Sequence, residues 1–402
     1  LIILIFFIDK YYYLDTIVIG YKYFQWRYDM KKLLVRFLGL FAACIILVTS
    51  TVAPAAAISQ NNSGTAITTQ ATAKDYPFVF VHGFSGWGEY ESLNKLFNYW
   101  GMGSGNLLGW LNKQGYDCCA ASVDPYASCW ERTCELYAQL TGTVVDYGAA
   151  HSQKYKHKRY GESFVGKAIV NNWSETDKIN LVAHSFGGTT CRLLIELLVN
   201  GNQEEINATP AGELSGLFSG GKSGWVYSLT TLATPHNGTS AIGYLEGLDV
   251  VKDTSFYDMS INGAKEMNDK LNIQPDIYYF SYAGCKTKAD KSGNQVPQSS
   301  MVFFFKSTSL IMGSKKLNSS RSNGRLDASW LQNDGLVNTV SAIAPFDEPQ
   351  VTFNVGSIQK GVWNVMPTQS FDHLQFTGGV FNMDKDDTHD FYMNMLSIIT
   401  SV

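Results

Sequence analysis

Five short apolar runs punctuate the chain between residues 76 and 284: YPFVFVHGF (76–84), YDCCAASV (116–123), KINLVAHS (178–185), GWVYSLTTLATP (224–235) and DIYYFSYAG (276–284). Each closes on Gly, Pro or Ser, and together they read as strands buried on both faces of a parallel sheet. Helical segments are expected between them at 105–114, 129–140, 187–200 and 263–271, with a last one at 387–400. Strands alternating with helices over about 330 residues predict a single α/β domain, 76–402, with helices on both faces of a mostly parallel central sheet. No internal repeat or heptad breaks that pattern.

Before the first run the pattern changes. Residues 1–29 begin without Met and read as translated upstream sequence, outside the fold. From Met30 a positive region (Lys31, Lys32, Arg36) precedes an apolar core (Phe37 to Val48) and the small residues Ala55, Ala56 and Ala57, which together spell a signal peptide at 30–57. The apolar stretch of about twelve residues is short of the roughly 20 that a membrane span needs, so secretion without stable membrane insertion is expected. Residues 58–75, polar and without periodicity, read as a flexible leader.

Composition narrows the partners. The 402 residues are 45% hydrophobic and 13% aromatic with a formal net charge of -4. No basic stripe is available to neutralise phosphates, which argues against nucleic acid. Six cysteines remain after position 57, without a CxxC pair, and read mostly as buried thiols rather than a disulfide framework.

The third apolar run stops at His184-Ser185-Phe186-Gly187-Gly188, and the helical TTCRLLIELLVNG follows. Strand, sharp turn and helix form the setting of a nucleophile elbow, where the serine hydroxyl is exposed at strained backbone angles. Small residues two before and two after the serine relieve crowding of neighbouring backbone. Here they are Ala183 and Gly187, giving A-x-S-x-G. The helix N-terminus offers free N–H groups to an oxyanion, the first from Phe186. The first run, FVHGFSGWG, ends where the second oxyanion donor belongs, at the backbone N–H of Phe84. His82 lies too early in the chain for a catalytic role and reads as a packed core histidine.

A serine needs a histidine to take its proton and a carboxylate to orient that histidine. Beyond Ser185 the histidines are His236, His373 and His389. His236 directly follows a strand, and His389 reads as a cap at the opening of the last helix. His373, in QSFDHLQF, is the best placed base. For the acid, Asp334 in WLQNDGLVNTVS competes with Asp327, Asp347 and Asp372, of which Asp372 is too close in sequence to His373.

Several longer motifs, HGFSGWG, CWERTCELYAQLTGTVVDYGAAHSQKYKHKRYG, LVAHSFGG, TTLATPHNGT, YDMSINGAKEMN, NDGLVNTVS and KGVWNVM, followed by DHL, occur in this order. Together they resemble the zinc-containing thermoalkalophilic lipases of the Geobacillus type, with the staphylococcal lipases as cousins. The resemblance runs from Tyr76 to the C-terminus. It implies an α/β-hydrolase fold with Ser185 as nucleophile, Asp334 as acid and His373 as base, and oxyanion donors at Phe84 and Phe186. It further implies a structural zinc in an insertion, on Glu131, His151, His157 and Asp258.

Two departures from that pattern matter. The positions that would carry acidic calcium ligands after the histidine read Gln375 and Val380, which argues against calcium. The lid segment is reduced to SAIGYLEGLDVVKDTSF, which implies an open site accepting bulky or polymeric esters. The sequence therefore points to a secreted carboxylic-ester hydrolase. Another acyl hydrolase, such as a thioesterase or amidase, and a non-catalytic hydrolase-like binding protein are the alternatives.

Overall fold

The computed structural model describes residues 74–245, 252–317 and 326–402. The expected signal peptide, the segment before it and nearly all of the leader lie outside those residues, as do residues 246–251 of the shortened lid. Among the described residues, no helix is long and apolar enough to cross a membrane.

Seven strands form one sheet, and every neighbouring pair in it is parallel. In chain order they are β1 (Phe78–Val81), β2 (Cys118–Ala121), β5 (Ile179–His184), β6 (Val226–Leu232), β7 (Tyr278–Tyr282), β10 (Gln350–Thr352) and β11 (Trp363–Val365). Their order across the sheet is β10-β11-β7-β6-β5-β1-β2. Two hairpins stand apart: β3 (Val144–Asp146) with β4 (Tyr160–Ser163), and β8 (Thr287–Ala289) with β9 (Gln295–Pro297).

The apolar runs correspond to β7, β6, β5, β1 and β2, five neighbours in the sheet that are largely buried. All six residues of β5 and all four of β1 are buried. On one face, Val79, Val81, Leu181 and Ala183 join a core cluster with Leu136 and Leu140 of α2 (Cys129–Thr141) and with Leu194 and Leu198 of α4 (Phe186–Asn200). On the other, Phe80 meets Trp100 and Tyr392 of the last helix (Lys385–Ile399), with ring centroids 4.9 and 6.1 Å apart. Side chains alternate across a strand, so successive residues of β1 face opposite layers of the fold. α1 is Leu107–Lys113.

Local sequence sets the helix boundaries. Ser128 and Glu131 close a capping box at the start of α2, and Gly142, with φ +64°, ends it. Two short helices, α3 (Ala149–Tyr155), which connects β3 to β4, and α5 (Gln203–Ala208), pack against each other. The Glu205 carboxylate of α5 accepts the Ala150 and His151 N–H groups at 3.0 and 2.7 Å, supplying the cap that Gly148 cannot. Cys118, Cys119, Cys129, Cys134, Cys191 and Cys285 are all unbridged, and four of them are fully buried.

Candidate active site and metal centre

The chemistry gathers at the C-terminal edge of the parallel strands, where open α/β sheets place their ligands. β5 ends at His184, and Ser185 follows with φ +55° and ψ -130° as the N-cap of α4. A serine in that conformation is strained. Three contacts hold it: its N–H donates to Leu232 O at 2.8 Å, while its carbonyl accepts from Gly188 N–H and the Thr234 hydroxyl at 3.0 and 2.9 Å.

The turn tolerates only glycine beside it. A Cβ on Gly187 would stand 2.3 Å from Val81 O, and one on Gly188 would stand 2.0 Å from Thr234 Oγ1. A Cβ on Gly83, at the end of β1, would meet Ser185 Cβ at 2.6 Å. That last approach explains His-Gly after β1: it brings the 83–84 peptide against the serine. Phe186 opens α4, so its N–H lacks an intrahelical acceptor. The Phe84 ring packs edge-on against Tyr126 and Phe256, with centroids 5.4 and 5.2 Å away.

His373 and Asp334 come together from distant loops. His373 Nδ1 lies 2.8 Å from Asp334 Oδ2, and both side chains are buried. The His373 N–H also donates to the Asp334 carbonyl at 3.0 Å. The other Asp334 oxygen, Oδ1, accepts the Leu336 and Val337 N–H groups at 2.9 and 2.7 Å, so the carboxylate is anchored before it meets the ring. The His373 ring lies 4.6 Å from that of His184, the residue preceding Ser185.

The competing residues are occupied elsewhere. Asp372 accepts from Val302 N–H and the Asn382 amide at 2.9 and 2.6 Å. His236 is buried beside Thr231 and Trp363, and burial holds it well below the ordinary histidine pKa. His389 stacks on Trp110 at 3.6 Å. His82 is fully buried, with burial and the Arg132 charge lowering its pKa to about 3, in keeping with a core histidine. The Gln375 amide accepts from Asp372 N–H at 2.9 Å and donates to Asn382 O at 3.0 Å.

A second cluster lies around α3. His151 Nε2 and His157 Nε2 stand 3.3 and 3.7 Å from Asp253 Oδ2, and the three ligand atoms lie within 4.8 Å of one another. Asp253, rather than the expected Asp258, joins the two histidines. The reason is local: Asp253 precedes α6 (Ser255–Met259), whose N-cap is Thr254. Asp258 sits inside α6, half-buried, and accepts the Cys129 N–H at 2.7 Å. Glu131 is outside the three-residue group, yet burial and the Asp253 charge push its carboxyl up to about 7.

Sequence reasoning missed Asp253, and it missed two buried polar residues at the serine. Arg132 donates to His82 O at 2.5 Å, Asp124 O at 2.7 Å and Thr190 Oγ1 at 3.2 Å, tying β1's exit to α2 and α4. Its signal was an arginine on the otherwise buried face of α2. The other is Tyr99, which joins His184 to Gly83.

Comparisons with known proteins agree with this architecture. A family profile described as "Lipase-like, C-terminal domain" matches residues 74–253 and 244–401. Lipase 2 of Staphylococcus aureus (strain MRSA252) is 34% identical over 358 residues, covering 75% of this chain and 50% of its own length. The chain thus spans about half the length of the curated relatives it matches. The structure of EstA from Clostridium botulinum superposes with a TM-score of 0.73 at 32% identity, covering 83% of this chain and 89% of that one. Staphylococcus hyicus lipase gives a TM-score of 0.72 at 30% identity, covering 84% of this chain and 99% of that one. With its all-parallel sheet, its strained serine at the tip of β5 and a profile match running from residue 74 to 401, the chain belongs to the lipase-like C-terminal domain family.

Proposed function

We propose that the protein is a secreted serine hydrolase of carboxylic esters, acting through Ser185, His373 and Asp334. The observation that carries the reading is the buried Asp334–His373 pair, bonded at 2.8 Å and packed against the residue next to the strained serine. Asp334 keeps the Nδ1–H tautomer, leaving Nε2 as the base. Ser185 Oγ adds to the acyl carbon as His373 takes its proton. The Phe84 and Phe186 N–H groups receive the oxyanion, each contributing roughly 2.7–4 kcal/mol of barrier lowering. His373 then returns the proton to the leaving alcohol, and water, deprotonated by the same ring, releases the acyl group.

Lipids and other esters, including bulky or polymeric ones, are the proposed substrates. The relatives named lipases support the ester class, and the reduced lid sequence SAIGYLEGLDVVKDTSF supports an open cleft.

The α3 cluster suits a structural zinc. Both imidazole Nε2 atoms are buried without a hydrogen-bond partner. His157 Nδ1 faces Lys158 O at 2.9 Å, and a donor there leaves Nε2 as a lone pair facing Asp253. His151, His157 and Asp253 would hold the ion, with Glu131 as the fourth residue, completing a two-imidazole, two-carboxylate set. Bound there, zinc would cross-link α2, α3 and the segment before α6. Calcium has no comparable support.

The test of the reading is Ser185→Ala with matched ester and amide substrates, and labelling of the unaltered protein by an organophosphonate. Ester turnover abolished by the substitution and label on Ser185 are expected. Turnover that survives Ser185→Ala refutes the assignment.

A further inference from the structure

Behind the serine runs a chain of buried hydrogen bonds that the proposed reaction does not use. Gly83 N–H donates to Tyr99 Oη at 3.0 Å. Tyr99 Oη lies 2.6 Å from His184 Nδ1, and His184 Nε2 lies 2.9 Å from the carbonyl oxygen of His373. Tyr99 and His184 are 4% and 1% exposed, so water does not substitute for any of these partners.

The direction of the chain follows from what each atom can do. A carbonyl only accepts, so His184 Nε2 carries the proton. Burial, then the His373 charge, keeps His184 far below the ordinary histidine pKa, and a neutral ring protonated on Nε2 must accept on Nδ1. Tyr99 is therefore the donor to His184, which leaves its oxygen lone pairs for the Gly83 N–H. Only this arrangement satisfies all four groups together.

We propose that Tyr99 and His184 are positioning residues that lock the oxyanion donor to the general base. The inference rests on the triad reading given above. One end of the chain fixes the peptide before Phe84, whose N–H receives the oxyanion. The other end fixes the His373 backbone, which is then held at three points: Asp334 O on its N–H, Asp334 Oδ2 on its ring and His184 Nε2 on its carbonyl. Ser185 lies between the two ends, next in sequence to His184. Phe80 of β1 also packs on Tyr392, whose hydroxyl donates to Phe376 O, but the Tyr99–His184 chain is the link that joins the oxyanion-side peptide to His373 itself through hydrogen bonds. The Tyr99 ring packs edge-on against Trp100, with centroids 5.3 Å apart.

Tyr99→Phe tests this in the full-length chain with least disturbance, since the ring and its packing remain. It strands the Gly83 N–H and His184 Nδ1 in a dry site. The expected result is a fall of about tenfold in kcat on a soluble p-nitrophenyl ester, with KM changed by less than twofold. Affinity for a trifluoromethyl ketone, which forms an anionic adduct on the serine, should weaken by the same factor. His184→Gln, whose side chain reaches only one of the two partners, should do likewise, and adding Tyr99→Phe to it should cost little more. Trp87→Phe disturbs the same aromatic cluster and its bond to Phe97 O without touching the chain, and should keep kcat within twofold.

Folded Tyr99→Phe protein with kcat and ketone affinity within twofold of the parent overturns the proposal, as does a loss shared equally by Trp87→Phe. Ser185→Ala run alongside separates the two readings. Full activity in that variant removes the triad itself, whereas full activity in Tyr99→Phe alone removes only the positioning role.

Discussion

Replacing Asp334 by Asn removes a single charge, and the surroundings dictate what the new amide does. Oδ1 of Asp334 accepts two backbone N–H groups, from Leu336 and Val337, while Oδ2 faces His373 Nδ1. If the Asn oxygen keeps the two backbone donors, its NH2 must point at the imidazole. The reverse orientation sets the NH2 against two N–H groups, stranding two buried donors at about 1–3 kcal/mol each. The amide thus donates to Nδ1 and drives the ring to the Nε2–H tautomer, which cannot take the serine proton. The expected loss in kcat is on the order of 10⁴-fold, or about 5.4 kcal/mol of barrier. The assay is kcat and KM on a soluble p-nitrophenyl ester between pH 6 and 9, with the fold checked by near-ultraviolet circular dichroism. Asp372→Asn is the control, because that neighbouring carboxylate bonds Val302 and Asn382 instead and should affect stability more than rate. If Asp334→Asn retains a tenth of the parent's kcat, or Asp372→Asn costs more, the assignment of the acid is wrong.

Metal analysis of protein purified without added zinc should find about one zinc per chain; Asp253→Asn and His151→Ala should lower that content, Asp258→Asn should not, and re-adding calcium after chelation should leave the melting temperature unchanged. Gly188→Ala drives a methyl into Thr234 Oγ1, which itself holds the Ser185 carbonyl, and should destabilise the fold by about 1–3 kcal/mol in thermal melts while lowering kcat. Burial, then the Asp124 charge, raises the Glu135 carboxyl to about 8. The unfolded chain releases that proton at lower pH than the folded one, so this group takes stability away as pH climbs from the ordinary carboxyl range toward about 8. Glu135→Gln should accordingly melt progressively higher than the parent across that window, and a constant difference would contradict the buried environment.

The legible parts of the chain were those where one local rule sufficed. β1, β2, β5, β6 and β7 announced themselves because largely buried strands read as mainly apolar runs, even where β6 carries Ser228, Thr230 and Thr231. β10 and β11 did not: each is three residues long, and β10, at the sheet edge, is half-exposed and carries Gln350 and Thr352. Ser185 was visible through the glycines that crowd it. The choice between Asp253 and Asp258 was not, since both stand in one acidic stretch and only the start of α6 at Ser255 decides which carboxylate turns toward the histidines and which toward Cys129. Tyr99 was hidden for a different reason. Its partners lie 16 and 85 residues away, and no periodicity records a contact across the sheet.

The unbridged cysteines bear on how the secreted enzyme proposed above would age. Thiolates, not thiols, react with peroxide or exchange with disulfides. Burial raises the Cys118, Cys119, Cys129, Cys134 and Cys191 thiols well above their ordinary range. Burial keeps those five sulfurs protonated, so storage in aerated buffer should neither scramble nor cross-link them, and any oxidation should fall on the partly exposed Cys285.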